Sequence, residues 1–176
     1  ALSGSQGDPT TGHENIFIGY KAGYSTGTGG ANVLIGNKAG YNFSNDDANT
    51  CVGHRAGENQ WGGPNVFVGR YAGQGTSGSS AQSLHNVAIG YNAMENLEGG
   101  DYNTCVGNSA GHKFTTAYRN TCVGYNAGFV NGSQNNAYGI YLGMESYPGA
   151  VNSSNEIVIG VDKTGKGSNT GFMNAG

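Results

Sequence analysis

A nine-residue motif that begins with asparagine recurs along this chain and constrains its fold more than any other feature. Its seven clear copies start at Asn15, Asn32, Asn49, Asn65, Asn86, Asn103 and Asn120. Successive copies begin 17, 17, 16, 21, 17 and 17 residues apart, and weaker copies follow at Asn136, Asn155 and Asn169. A unit this short cannot bury a core of its own, so consecutive units must stack on one another.

Each copy predicts one short strand and then a turn. Three mostly β-favouring residues follow the asparagine and precede a glycine, as in the segment from Ile16 to Gly19. The other half of each unit is rich in Gly, Ser, Thr and Asn, which predicts a return segment made of turns. The predicted fold class is all-β, a parallel β-solenoid or β-roll of about nine to ten coils of roughly 17 residues.

The chain divides into three predicted regions. These are an N-terminal lead-in (1–14), a regular repeat solenoid (15–143) and degenerate terminal repeats (144–176). We use the word column for the residues at one motif position in successive copies. Because the coils stack in register, the seven motif asparagines named above are predicted to form a ladder of amide hydrogen bonds in the first column.

Both faces of the predicted strand are apolar. The second and fourth columns hold Ile, Val, Thr and similar residues, and the third column points the opposite way. The third column contains Phe17, Leu34, Cys51, Phe67, Ala88, Cys105 and Cys122. A thin coil hides only one of its faces, so we expect a second copy to cover the other, most simply as a homotrimer around a central seam. Of this column, Phe17, Leu34, Cys51, Phe67, Cys105 and Cys122 are predicted to form the oligomer seam or the core.

Exposed aromatic residues are the candidate receptor contacts. Tyr20, Tyr91 and Tyr125 share the column after the strand glycine, where rings one coil apart could stack and hold the faces of sugars. A second aromatic column, after the Ala-Gly pair, contains Tyr24, Tyr41 and Phe129. Trp61 and the inserted loop from Gln74 to Gln82 are further candidates, because insertions in a solenoid protrude from one side.

Composition and charge argue against several functional classes. Glycine accounts for 34 of 176 residues and charged residues for 11%, which disfavours a helical bundle or a doubly wound enzyme. A net charge of −3 offers no basic stripe for nucleic acid, and no long apolar run predicts membrane insertion. The three cysteines lack the spacing of a disulfide framework or a zinc site.

No catalytic, cofactor-binding or metal site is predicted, although three patterns imitate other classes. Residues 160–167 approach a phosphate-binding loop, but Gly167 stands where Ser or Thr is required. A hexapeptide-repeat acyltransferase needs three hexads in each coil, and only one occurs here. An ice-binding surface needs an unbroken threonine array, whereas Ile16, Val33, Val66 and Val87 interrupt the column that contains Thr50, Thr104 and Thr121.

The motif resembles the repeat regions of bacteriophage tail fibres and tail-spike appendages. The resemblance is carried by the Asn120–Gly128 copy and by the coda Ser154–Gly160, and it spans about residues 15–176. A looser likeness is to the β-roll heads of trimeric autotransporter adhesins. The resemblance to tail fibres implies a trimeric, stiff spacer on a virion tail or extracellular surface that presents loops to a host receptor or glycan. A non-viral cell-surface adhesin or a self-assembling extracellular filament is the alternative.

Overall fold

The computed structural model describes residues 12–44, 46–79, 81–129, 132 and 135–173. Most of the predicted lead-in (1–11) and the end of the degenerate repeats (174–176) therefore lie outside the described residues. None of the described residues is helical, and all regular elements are short strands. The predicted all-β parallel solenoid is confirmed.

Ten strands form a single parallel sheet whose order follows the chain. They are β1 (Ile16–Ile18), β2 (Val33–Ile35), β3 (Thr50–Val52), β4 (Val66–Val68), β5 (Val87–Ile89), β6 (Thr104–Val106), β7 (Thr121–Val123), β8 (Ile140–Leu142), β10 (Ile157–Ile159) and β12 (Gly171–Met173). Two further strands, β9 (Ser146–Tyr147) and β11 (Lys163–Thr164), pair with each other beside the last coils.

Register between neighbouring coils follows the sequence motif. Cys51 pairs with Phe67, and Phe67 pairs with Ala88 although those two motif copies are 21 residues apart. The extra residues lie in the return segment, so the strands stay aligned. From Ile16 to Ile157 the chain makes about eight turns of about 17 residues, and a short last coil ends at β12. The sequence had predicted nine to ten coils. At about 4.8 Å per turn, eight turns extend roughly 38 Å.

The degenerate coils carry a register that the sequence did not predict. β8 pairs with β7 and with β10, and β10 pairs with β12, so the first-column residues are Gly139, Glu156 and Thr170. Two of the asparagines predicted for this column, Asn155 and Asn169, lie one residue earlier, directly before Glu156 and Thr170. They occupy left-handed positions with φ values of 54° and 61°. The ladder of strands therefore continues while the asparagine column ends at Asn120.

The third column forms the core of the single chain. Leu34, Cys51, Phe67, Cys105 and Cys122 have no exposed surface, and the alanines of the eighth column are buried beside them. At the first coil, Phe17 is partly buried and packs against this core. The third column therefore faces the interior of its own coil, and our argument that a neighbouring copy must cover it does not hold.

The second and fourth columns form an uncovered outer strip. We define the outer strip as the first and last residues of β1 to β8 and of β10. All of them are partly or fully exposed, including Ile16 (51%), Ile18 (42%) and Val123 (42%). The apolar face that the described part of the chain leaves uncovered is thus the outward one.

Tight turns set the width of the coil. Gly53, directly after β3, has a φ of 142°, and a Cβ atom there would lie 2.4 Å from the carbonyl oxygen of Gly69. Only glycine allows neighbouring coils to approach this closely. Two residues later the chain is left-handed again, although Arg55 (φ 57°) is not glycine.

Candidate functional site

The asparagine column forms a continuous hydrogen-bonded ladder inside the rod. The backbone N–H of Asn49 donates to Oδ1 of Asn32 over 2.9 Å, and that of Asn103 donates to Oδ1 of Asn86 over 3.0 Å. The same pattern links the other motif asparagines, from Asn15 to Asn120. Direct amide-to-amide bonds join part of the column, as between Asn120 Nδ2 and Asn103 Oδ1 at 2.9 Å. The asparagine side chains therefore hold coils together and are not available to a ligand.

The three candidate tyrosines after the strand glycine do not stack on one another. Tyr20, Tyr91 and Tyr125 are well exposed, at 62%, 44% and 47%, but coils that carry other residues separate them. Tyr91 instead meets Tyr71 edge-on, with ring centroids 6.3 Å apart. These three tyrosines are exposed and separated from one another, and they do not form a continuous platform.

The second aromatic column does contain a stacked pair. The rings of Tyr24 and Tyr41 lie 5.0 Å apart and are parallel within 4°. The Lys21 and Lys38 ammonium groups lie 5.1 Å and 5.3 Å from the centroids of Tyr24 and Tyr41, respectively. Phe129 stacks on His112 farther along the rod, at 6.0 Å. These contacts tie neighbouring coils together at one edge of the rod.

Sequence reasoning missed a third aromatic row. His85, Tyr102, Tyr118 and Tyr138 follow one another along the rod with centroid separations of 4.9, 5.7 and 5.8 Å. The guanidinium of Arg119 lies 4.9 Å from the centroid of the Tyr118 ring. His85, Tyr102 and Tyr138 each stand directly before a first-column residue. The motif begins at the first column, so it does not include this position and did not predict the row.

Trp61 and part of the inserted loop, both predicted from the sequence as receptor contacts, line the same groove. The groove has a volume of about 350 Å³ and is lined by Ser25, Asn42, Ser44, Asn59, Trp61 and residues 78–79. Trp61 is half-buried, and none of the lining residues is charged. The sequence did not predict the polar residues, since they come from return segments without a fixed motif.

Hydrogen bonds along the rod hold the polar side of the groove in place. Asn42 Nδ2 donates to Asn59 Oδ1 over 2.8 Å, and Asn59 Nδ2 donates to the carbonyl oxygen of Gly75 over 3.3 Å. The carbonyl oxygen of Trp61 accepts the backbone N–H of Ser83 over 2.7 Å. Three successive coils thus contribute to one preformed surface.

Gly78 and Ser79 of the inserted loop line this groove. Ser79 donates its backbone N–H to Thr76 and its hydroxyl to the carbonyl oxygen of Glu98, at 3.2 and 3.3 Å. A second groove, of about 250 Å³, is lined partly by Thr76, Glu98 and Lys113 and thus contains both charge signs. Thr76, which lines the second groove, lies in the same inserted loop as Gly78 and Ser79, so that loop contributes to both an uncharged and a charged surface.

Burial disfavours ionisation of two thiols and one phenolic hydroxyl group in the core. Burial raises the pKa of the Cys51 and Cys122 thiols, and it also raises the pKa of the Tyr141 hydroxyl. A thiol in such surroundings is not prepared to act as a nucleophile. Across the described ranges, no three His, Cys, Asp or Glu side chains lie close enough together to hold a metal ion. The same part of the chain contains no helix long and apolar enough to cross a bilayer.

Comparison with known proteins gave no match: no protein-family model, no curated protein and no solved structure is similar to this chain.

Proposed function

We propose that this chain is a stiff structural segment of an extracellular fibre, in which three parallel copies pack along their outer strips and present adhesive edges. The repeat motif resembles that of bacteriophage tail fibres, which supports a place on a virion tail or a similar extracellular appendage. The role is mechanical and adhesive, with a host-surface receptor or glycan as the partner.

The outer strip is the observation that carries this proposal. It runs along nine successive strands, and its side chains are almost all Ile, Val, Leu or Thr. Monomeric soluble proteins rarely expose an apolar patch that is continuous over such a length. Covering the strip would remove apolar surface from water, which is the dominant favourable contribution to association.

A second copy of the chain suits the strip better than an unrelated partner does. The strip repeats every 4.7–4.9 Å because its columns follow the strand spacing, and a second copy has the same spacing. Charged side chains are absent from the strip, so parallel copies would meet without buried unpaired charge. In a trimer each strip contacts two neighbours, and the grooves and loops at the rod edges stay accessible.

The assembly can be tested by measuring mass in solution. We expect light scattering at micromolar concentration to give about three times the 18.0 kDa chain mass. Val68→Lys combined with Val106→Lys should give a folded monomer, because two lysines would have to be buried without partners in the assembly. Ser77→Lys, on the inserted loop, is the matched control and should leave the mass unchanged. A wild-type monomer at these concentrations would refute the assembly.

A further inference from the structure

The uncharged groove beside Trp61 has the composition of a sugar-binding site. Its lining offers one indole ring, two asparagine amides and several serine hydroxyl groups. Amides supply both donors and acceptors, and hydroxyl groups can act as either. A ligand that carries many hydroxyl groups on a partly apolar ring matches this set, with its apolar face against the indole.

The lack of charge in the groove selects the class of saccharide. No lysine, arginine or histidine lines it that could pair with a carboxylate or sulfate on a sugar. Glu58, which precedes Asn59 in the chain, is itself paired with two cations: Lys38 Nζ lies 3.2 Å from Glu58 Oε1, and Arg55 Nε lies 3.6 Å from Glu58 Oε2. Electrostatic complementarity therefore favours a neutral ligand.

The groove is also built before a ligand arrives. Asn42 and Asn59 are fixed by the hydrogen bonds between coils described above, and the wall at Ser79 is held by Glu98. A preformed site loses little conformational entropy on binding. Ser25, Asn42 and Asn59 come from successive coils, so polar groups recur about every 4.8 Å along the rod axis and could follow a linear oligosaccharide.

We infer that this groove binds neutral oligosaccharides, with one sugar ring over Trp61 and its neighbours along Asn42 and Asn59. The inference rests on the proposed adhesive function and specifies its ligand class and its site. The volume of about 350 Å³ lies within the range of small-molecule pockets, about 300–1,000 Å³.

Trp61 gives a direct readout because it is the only tryptophan in the sequence. We would titrate the wild-type chain with cellohexaose, chitohexaose and maltohexaose and, as an acidic probe, with hexagalacturonate, and follow tryptophan emission. We expect a saturable change with at least one neutral hexaose and none with hexagalacturonate. No response to any of the three neutral probes at millimolar concentration, or an equal response to the acidic probe, would overturn the inference.

Calorimetry with the responding hexaose tests the residue assignment. Trp61→Ala should weaken binding at least tenfold, which corresponds to about 1.4 kcal/mol. Tyr138→Ala, an exposed ring outside the groove, should bind as the wild type does. Ser25→Arg, which obstructs the groove from an exposed position, should also weaken binding and removes no buried group. If Trp61→Ala is misfolded by circular dichroism, Ser25→Arg decides, and unchanged affinity in that folded variant would refute the site.

Light scattering on the same samples separates this inference from the proposed assembly. A monomer that binds a neutral hexaose would keep the site and refute the trimer. A trimer that binds none would keep the fibre proposal and refute the site.

Discussion

The inner and outer faces of the same strands are almost equally apolar but have different physical roles. In β4, Phe67 is fully buried, whereas Val66 and Val68 on either side of it are partly exposed. The inner face is covered by the return segment of its own coil, whereas none of the described residues covers the outer face. Hydrophobicity alone therefore does not tell which side of a thin solenoid is its core.

Side-chain volume distinguishes the two faces. Inner residues range in size from Ala88 to Tyr141, and in two coils with a small inner residue the return segment adds a large buried side chain. The coil of Ala88 adds Leu97, and the coil of Cys105 adds Phe114, whereas no buried aromatic or leucine is needed in the coil of Phe67. Such compensation is expected where packing density must remain constant. The outer strip needs none, and it uses mainly Val, Ile and Thr.

The largest expected effect is the loss of the fold when a charge is placed on the inner face. Phe67→Asp would bury a carboxylate without a partner and also leave a cavity, so the coil stack should not form. The matched variant Val68→Asp, one residue along on the outer strip, should fold. Circular dichroism and thermal melting compare the two. Equal melting temperatures would show that the two faces do not differ as described.

Thiol reactivity gives the next largest contrast. Cys51, Cys105 and Cys122 are buried, and burial raises the pKa of Cys51 and Cys122. Native protein should therefore react with a thiol reagent at least about 10³-fold more slowly than urea-unfolded protein, which is the protection expected of a stably folded domain. The protection should persist in the monomeric Val68→Lys, Val106→Lys variant. Rapid labelling of that variant would show that these cysteines are buried between chains and not in the core of a single chain.

A smaller effect is expected within the amide ladder. Asn86→Ala removes the acceptor of the Asn103 backbone N–H and the donor to the Gly100 carbonyl oxygen. Each buried group left unpaired costs about 1–3 kcal/mol, so unfolding in denaturant should show a loss of at least that size. Asn108→Ala, at an exposed position, is the control and should change stability by less than about 0.5 kcal/mol. Equal losses in both variants would contradict a structural role for the ladder.

The sequence was sufficient to predict the stacked coils, because each motif copy aligns Asn, strand and Gly in the same order. It did not predict the direction in which Phe67 points. Side chains alternate between the two faces of a strand, but this pattern does not show which face lies inside the coil. That direction depends on the return segments, whose irregular sequences carry no motif. The insertion in the sequence predicted Trp61 and its loop as contacts, whereas Asn42 and Asn59 lie in return segments without a motif and were not predicted.

The terminal coils were misaligned for a different physical reason. Asn155 and Asn169 occupy left-handed positions, which asparagine tolerates better than most residues, and this preference looks like a motif start in the sequence. Glu156 takes the place of the ladder asparagine, and its carboxylate accepts the backbone N–H of Gly149 at 3.0 Å and of Gly167 at 2.7 Å. An acceptor-only side chain cannot donate onward as asparagine does.

Because each coil pairs with the next through the same strand register, the length of this rod can change only by whole coils. Gain or loss of one repeat by recombination within the gene would alter reach by about 4.8 Å and leave every surviving junction as it was. The 21-residue spacing between Asn65 and Asn86 shows that a coil can also widen sideways without disturbing that pitch. Reach and surface decoration can therefore evolve independently of each other.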